Sequence, residues 1–172
     1  MKYLQLFEKF YKPSPEIKER LDRIVNDLLK KHRGGKDFFD ALDQAIKDVT
    51  SYDMVLALLK GNTNEWIVSS GEFGDNIYKL WKENRFKCKG VLVFNGKMQT
   101  NKIGVTGWYP TDFDLNNKNF IFVDDSLFSG GTYKKIDNFL RNYNSKIKSV
   151  SVIYDGSRKK SRIVKSFFRY YE

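Results

Sequence analysis

One stretch constrains this chain more than any other: Phe120-Ile121-Phe122-Val123-Asp124-Asp125-Ser126-Leu127-Phe128-Ser129-Gly130-Gly131-Thr132. Four apolar residues in a row, Phe120 to Val123, suit a parallel strand covered on both faces. Asp124 and Asp125 then fall at its carboxyl end, where open α/β sheets bind their ligands. Ser129, Gly130, Gly131 and Thr132 form a small hydroxyl-and-glycine loop that opens a helix. Such a loop offers backbone N–H groups, hydroxyls and a helix N-terminus to a phosphate. Two acids beside an anion site point to one ligand bearing both hydroxyls and phosphate, such as a sugar phosphate, with a divalent cation. The plainer reading is an ordinary β–α loop with an N-cap. The apolar strand before it and the helix after it favour the functional one.

The rest of the chain supplies a scaffold. Residues 1–13 read as a short helix or an extended arm. Ser14-Pro15 opens a helix, with Ile17, Leu21, Ile24, Val25, Leu28 and Leu29 at helical spacing and Gly34-Gly35 ending it. Asp37 caps a second helix carrying Phe38, Phe39, Leu42, Ile46 and Val49. Met54 to Leu59 reads as the first core strand, followed by Lys60-Gly61-Asn62-Thr63. A helix is expected from near Asn64, interrupted around Gly71 and Gly74 and resuming through Ile77, Leu80 and Trp81. Gly90 to Phe94 is the second strand. A long stretch from Asn95 to Lys118 follows, with Lys102 to Thr106 as a short strand. Strand Phe120 to Val123 leads into a helix through Ile136, Phe139 and Leu140, and Ser149 to Tyr154 is the last strand. Strands alternating with helices predict an α/β fold, a mostly parallel twisted sheet flanked by helices. The division expected is a single domain, residues 1–172, with a helical N-terminal segment over 1–50 and the α/β core over 51–172.

Composition narrows the function classes. The single Cys88 excludes an internal disulfide and fits a reducing, cytoplasmic setting; with only His32 beside it, a Cys/His zinc site within the chain is implausible. No apolar run is long enough to span a bilayer, and the N-terminus reads as no signal peptide. The net charge of +10 favours anionic ligands and raises affinity for nucleic acid. Because the lysines are spread along the chain, a solvated surface explains most of it. Ser157-Arg158-Lys159-Lys160-Ser161-Arg162 is the densest basic run.

The Phe120–Thr132 segment resembles the phosphoribosyl diphosphate (PRPP) signature of type I phosphoribosyltransferases. That signature is an apolar strand, two acids, three variable residues, then Thr/Ser-Gly-x-Thr/Ser. The resemblance implies that Asp124 and Asp125 bind ribose hydroxyls and that Ser129, Gly130, Gly131 and Thr132 grip the 5′-phosphate. Upstream, Leu59-Lys60-Gly61-Asn62 looks like the pyrophosphate-binding loop of the hypoxanthine-guanine branch. Asp114-Leu115-Asn116-Asn117-Lys118-Asn119 also looks familial. Asn95 to Lys118 would be the family's flexible loop, with Lys97 and Lys102 as pyrophosphate contacts. The family also implies Mg²⁺, held through the ligand near Asp124 and Asp125, and commonly a homodimer.

Two departures qualify the resemblance. The third variable position, an aspartate in the hypoxanthine-guanine branch and the base for the purine, is Phe128 here. A phenyl ring accepts no proton, so purine-like base catalysis is rejected, and no catalytic residue can be named. The purine-binding hood often follows the last strand, but only 18 residues follow Tyr154; the helices of residues 1–50 would have to build it, unless they are ordinary packing. What is implied is a phosphoribosyltransferase-like protein that binds PRPP or a ribose 5-phosphate nucleotide and transfers the phosphoribosyl group to an unidentified base. The alternative is a non-catalytic regulator of the same fold that binds nucleotide or nucleic acid. A phosphoribosyl hydrolase is a further rival.

Overall fold

The computed structural model describes residues 3–6, 15, 19, 23, 64–95, 107–127, 129–157 and 161–171, with residues 3–6, 154 and 167–171 described by backbone alone. Seven strands form one sheet in the order β1-β7-β6-β5-β2-β3-β4. They are β1 (Tyr3–Leu6), β2 (Trp66–Ser70), β3 (Gly90–Phe94), β4 (Trp108–Tyr109), β5 (Asn119–Leu127), β6 (Lys146–Asp155) and β7 (Val164–Tyr171). The contiguous pairs from β7 to β3 are parallel; β1 on β7 and β4 on β3 are antiparallel edges. The expected α/β class with a mostly parallel sheet is therefore the one observed.

Two helices connect the parallel strands, α1 (Gly71–Lys82) between β2 and β3, and α2 (Gly131–Arg141) between β5 and β6. Each buries one stripe. Phe73, Ile77 and Leu80 recur at helical spacing on α1, and Ile136 and Leu140 on α2. Alternation along the strands divides the core. Val68, Leu92, Phe94, Phe120, Phe122, Val150 and Val152 cluster with Ile136 and Leu140 of α2. Their buried neighbours Ile67, Val91, Val93, Ile121 and Val123 lie on the opposite side of the pleat. There α1 approaches closely: a Cβ added at Gly74 would come 2.8 Å from Val93 Cγ1 and 3.2 Å from the Ser69 backbone.

Several expectations change. The helix expected from Asn64 is a strand, β2, and α1 begins only at Gly71. Trp66-Ile67-Val68 is aromatic and β-branched, and it is paired on both edges, by β3 and β5, so strand pairing decides its conformation. β5 also runs past Val123 to Leu127, because β6 continues beside it: Asp124 pairs with Val152, Ser126 with Tyr154 and Leu127 with Asp155. Ser149–Tyr154 is not the last strand, since β7 follows. The N-terminal arm contributes β1, extended and paired with β7. Of the expected N-terminal helices, Pro15, Glu19 and Arg23 are described and helical, Arg23 lying 3.5 Å from Glu19 one turn earlier. Met54–Leu59 lies outside the described residues.

The amino end of β5 is pinned from below. Buried Ser145 donates its hydroxyl to the Leu115 carbonyl (2.5 Å) and accepts the Lys118 N–H (2.7 Å). Lys118 Nζ meets Asp114 at 2.9 Å and sits 5.0 Å over the Trp66 ring. The Asp114–Asn119 stretch is thus a structural clamp at the far end of the strand from Asp124.

Candidate functional site: the crevice between β2 and β5

Chain direction decides where a ligand fits. From β2 the chain passes through α1 to β3 on one side. On the other side β5 passes through α2 to β6. The carboxyl ends of β2 and β5 therefore flank the point where the strand order reverses, the usual ligand crevice of open α/β sheets. Val68 pairs with Phe122. Continuing that parallel register sets Ser70 level with Asp124.

The β5 wall carries the signature. Asp124 and Asp125 are half-buried. The Asp124 carboxylate accepts the Asp125 N–H at 2.8 Å, and Asp125 accepts the Ser126 hydroxyl at 3.2 Å. Beyond Leu127, Gly130 takes the left-handed conformation (φ 73°) and caps α2. Only glycine fits: a Cβ there would stand 2.7 Å from the Tyr133 ring. The Gly131 N–H donates to Ser129 Oγ at 3.3 Å. Thr132 is exposed in the first turn. The structure thus brings Asp124, Asp125, Ser129, Gly130, Gly131 and Thr132 to one sheet edge and one helix start. Phe128 and Leu59, Lys60, Gly61 and Asn62 lie outside the described residues, as do Lys97, Lys102 and Arg158 to Lys160.

Sequence reasoning missed Lys134. Its Cε lies 3.6 Å from where a Gly130 Cβ would be, so the side chain folds back over the helix start. The signal was available: helical side chains lean toward the N-terminus, so a lysine four positions after the cap covers it. The first turn of α2 carries no acidic residue to neutralise its N-terminal dipole.

The β2 wall was missed entirely. Ser69, fully buried, donates its hydroxyl to the Val123 carbonyl at 2.5 Å. Ser70 precedes α1 and makes no side-chain capping bond. Gly71 is left-handed (φ 60°), and among the described residues nothing comes within 4 Å of where its Cβ would be. Glu72, exposed, occupies the first turn of α1.

Two further parts frame the crevice. β4 returns antiparallel to β3, with the Asn95 N–H on the Gly107 carbonyl at 2.9 Å, which closes the carboxyl end of β3. Tyr109 of β4 donates its hydroxyl to Asp75 of α1 and stacks edge-on against Tyr78 at 4.9 Å. At the end of β6, buried Asp155 accepts the Ser157 N–H (2.9 Å) and hydroxyl (2.5 Å), and the Gly156 N–H reaches the Leu127 carbonyl at 2.7 Å. Among the described residues no cluster of three or more His, Cys, Asp or Glu could hold a metal, and no helix is long and apolar enough to cross a membrane.

No family model matches the chain. It is 30% identical over 109 residues to the bifunctional protein PyrR of Caldicellulosiruptor bescii, a match spanning 58% of this chain and 60% of that relative. Its structural neighbours are type I phosphoribosyltransferases. The purine phosphoribosyltransferase of Pyrococcus horikoshii has a TM-score of 0.49 at 17% identity, covering 67% of this chain and 80% of that one. The adenine phosphoribosyltransferase of Thermoanaerobacter pseudethanolicus has a TM-score of 0.46 at 14% identity, covering 74% and 81%. The hypoxanthine phosphoribosyltransferase of Staphylococcus aureus has a TM-score of 0.45 at 12% identity, covering 76% of each chain.

Proposed function

We propose that this chain binds a ribose 5-phosphate group, as PRPP or as a nucleotide, in the crevice between β2 and β5. The observation that carries the reading is the placement of Asp124 and Asp125 at the strand-order reversal, immediately before a glycine-capped helix start. In this reading the carboxylates accept hydrogen bonds from the ribose hydroxyls. Ser129, Thr132 and the first-turn N–H groups of α2 hold the 5′-phosphate, with Lys134 adding charge.

The acidic pair fits a nearby Mg²⁺, which keeps most of its shell as water and ligand oxygens rather than protein groups. It would be held through the ligand's phosphate and ribose oxygens near Asp124 and Asp125, and when bound it would neutralise charge on those oxygens. A group on ribose C1 would face the exit of β2, Ser70-Gly71-Glu72, beside the carboxyl end of β5; Leu59-Lys60-Gly61-Asn62 stays the pyrophosphate loop that the family resemblance implies. With PRPP bound, phosphoribosyl transfer proceeds by positioning and electrostatics, Phe128 leaving proton removal from the acceptor to some other group.

A non-catalytic nucleotide-binding role is the second reading, favoured by Phe128. Cytoplasmic location and a homodimer belong to the same proposal. Calorimetry with ribose 5-phosphate and PRPP, with and without Mg²⁺, tests the ligand. Asp124→Asn and Thr132→Ala should each weaken binding at least about tenfold, about 1.4 kcal/mol. Pyrophosphate release across a panel of bases then separates transferase from regulator. Failure of both compounds to bind the wild type ends the ligand assignment.

A further inference from the structure

The amino ends of the parallel strands lie at one end of the sheet, opposite the crevice, and four of the five strands are entered through a cation. Lys89 immediately precedes β3, Lys118 precedes β5, Lys146 opens β6, and Arg162 stands two residues before β7. Backbone bonds hold these starts in line. The Lys89 N–H meets the Glu65 carbonyl at 3.0 Å, the Lys146 N–H meets the Lys118 carbonyl at 3.0 Å, and the Val150 N–H meets the Ile163 carbonyl at 2.8 Å. With neighbouring strands about 4.8 Å apart, the row from β7 to β3 is about 19 Å long. α1 and α2 run back toward the same end. Lys79 and Lys82 lie in the last turn of α1, and Lys87 in the link to β3.

Three acids at this end are already held: Asp114 by Lys118, Asp137 by Arg141 and Glu65 by Lys148. Lys79, Lys82, Lys87, Lys89, Lys146 and Arg162 are exposed, and none has an ion-pair partner among the described residues. Of the described acids here, Glu83 and Asp112 stand against them. The negative end of a helix accounts for cations in its last turn. It does not account for Lys89, Lys146 and Arg162, because a sheet has only a small net dipole. Ile163 is the one large apolar side chain exposed among the described residues, so the edge has no apolar face to bury in a bilayer. Trp81 and Phe86, half-buried in the same stretch as the lysines, offer ring surface to bases.

We propose that this amino edge binds a single-stranded nucleic acid through its phosphate backbone, without regard to base sequence. A row of separate cations suits a flexible strand, whose phosphates meet them one at a time. The row and the ribose-phosphate crevice lie at opposite ends of the sheet, so neither proposal rests on the other.

The test is fluorescence anisotropy of a labelled oligothymidylate about 20 nucleotides long, titrated with the full chain between about 50 and 200 mM salt. Expected in the wild type is binding that weakens as salt rises, each phosphate contact adding about 0.7 to the slope of log affinity on log salt. Lys89→Gln and Lys146→Gln should each flatten the slope by about that much. Reversing both charges, Lys89→Glu with Lys146→Glu, should weaken binding tenfold or more. Lys134→Gln, at the crevice, should leave the slope unchanged. All these positions are exposed, and matched thermal melts check that the variants fold. Absence of wild-type binding at the lowest salt overturns the inference. So does a slope that Lys134→Gln flattens as much as Lys89→Gln does. Tighter binding to a duplex of the same length overturns it too, as does equal binding to polyglutamate or to phosphatidylserine vesicles.

Discussion

Ser69 donates its hydroxyl to the backbone carbonyl of Val123, 54 residues away, at 2.5 Å and in full burial. Val123 immediately precedes Asp124, so this bond ties the two walls of the crevice together at the level of the acids. It explains a serine in an otherwise apolar strand interior: the hydroxyl is satisfied and marks where β2 stops pairing with β5 in regular register.

Ser69→Ala should therefore cost more than its size suggests. Removing the hydroxyl strands a buried carbonyl acceptor, worth about 1–2 kcal/mol. Urea denaturation should show this loss, and ribose 5-phosphate affinity should fall with it as Asp124 loses its support. An unchanged midpoint would show that the bond contributes nothing to holding the walls.

Gly130→Ala should damage stability and ligand binding together. An L-residue at φ 73° is strained by about 1–2 kcal/mol, and the new Cβ would push into the Tyr133 ring from 2.7 Å. Gly131→Ala is the control. Among the described residues its Cβ would meet only Ser129 Oγ at 3.4 Å, and its φ is not positive. Thermal melts should separate the two by several degrees. Equal losses at both positions would contradict a special role for the left-handed cap.

How much of this was legible beforehand depended on how local the cause was. Gly90–Phe94 carries its own evidence, a run of β-branched and aromatic residues buried on both faces, and β3 begins and ends where the sequence predicts. The signature loop was equally plain, because its residue types name its chemistry. Trp66–Ser70 was read as helix, because Glu65 to Ser70 is too short to show a period and Gly71 looked like an interruption rather than a start. Its true neighbours, Gly90–Phe94 and Phe120–Phe122, are distant in sequence, and only their pairing makes it a strand. Lys134 escaped for another reason. An isolated charge on an amphipathic helix is ordinarily solvated, and only its folding back over the Gly130 cap gives it meaning.

Cys88 should be inert toward thiol reagents in the native state. Burial pushes its thiol up to about 11, partly offset by the backbone bond at Gly90. At pH 8 about one molecule in a thousand would then carry the thiolate, against about a quarter for an ordinary cysteine near 8.5. Labelling with a disulfide reagent at pH 8 should be slow in buffer and fast in denaturant. Rapid native labelling would place Cys88 on an open surface.

Tyr109 makes the alkaline side of the stability profile readable. Burial, the hydrogen bond to Asp75 and that carboxylate's charge all raise its phenol far above the ordinary value, with Tyr78 adding a smaller push. The sign follows from linkage. The folded state keeps the proton where the unfolded chain, titrating near 10, gives it up. The contribution is fully present below pH about 10 and is lost as pH climbs past it. Tyr109→Phe removes the titrating group while keeping the ring stacked on Tyr78, so its stability should fall less steeply between pH about 10 and 11.5. Below pH 9 the variant should be the weaker of the two, having lost the bond to Asp75 that joins β4 to α1. The comparison needs urea midpoints for both proteins across that range. Parallel curves would mean that Tyr109 titrates as freely in the fold as out of it.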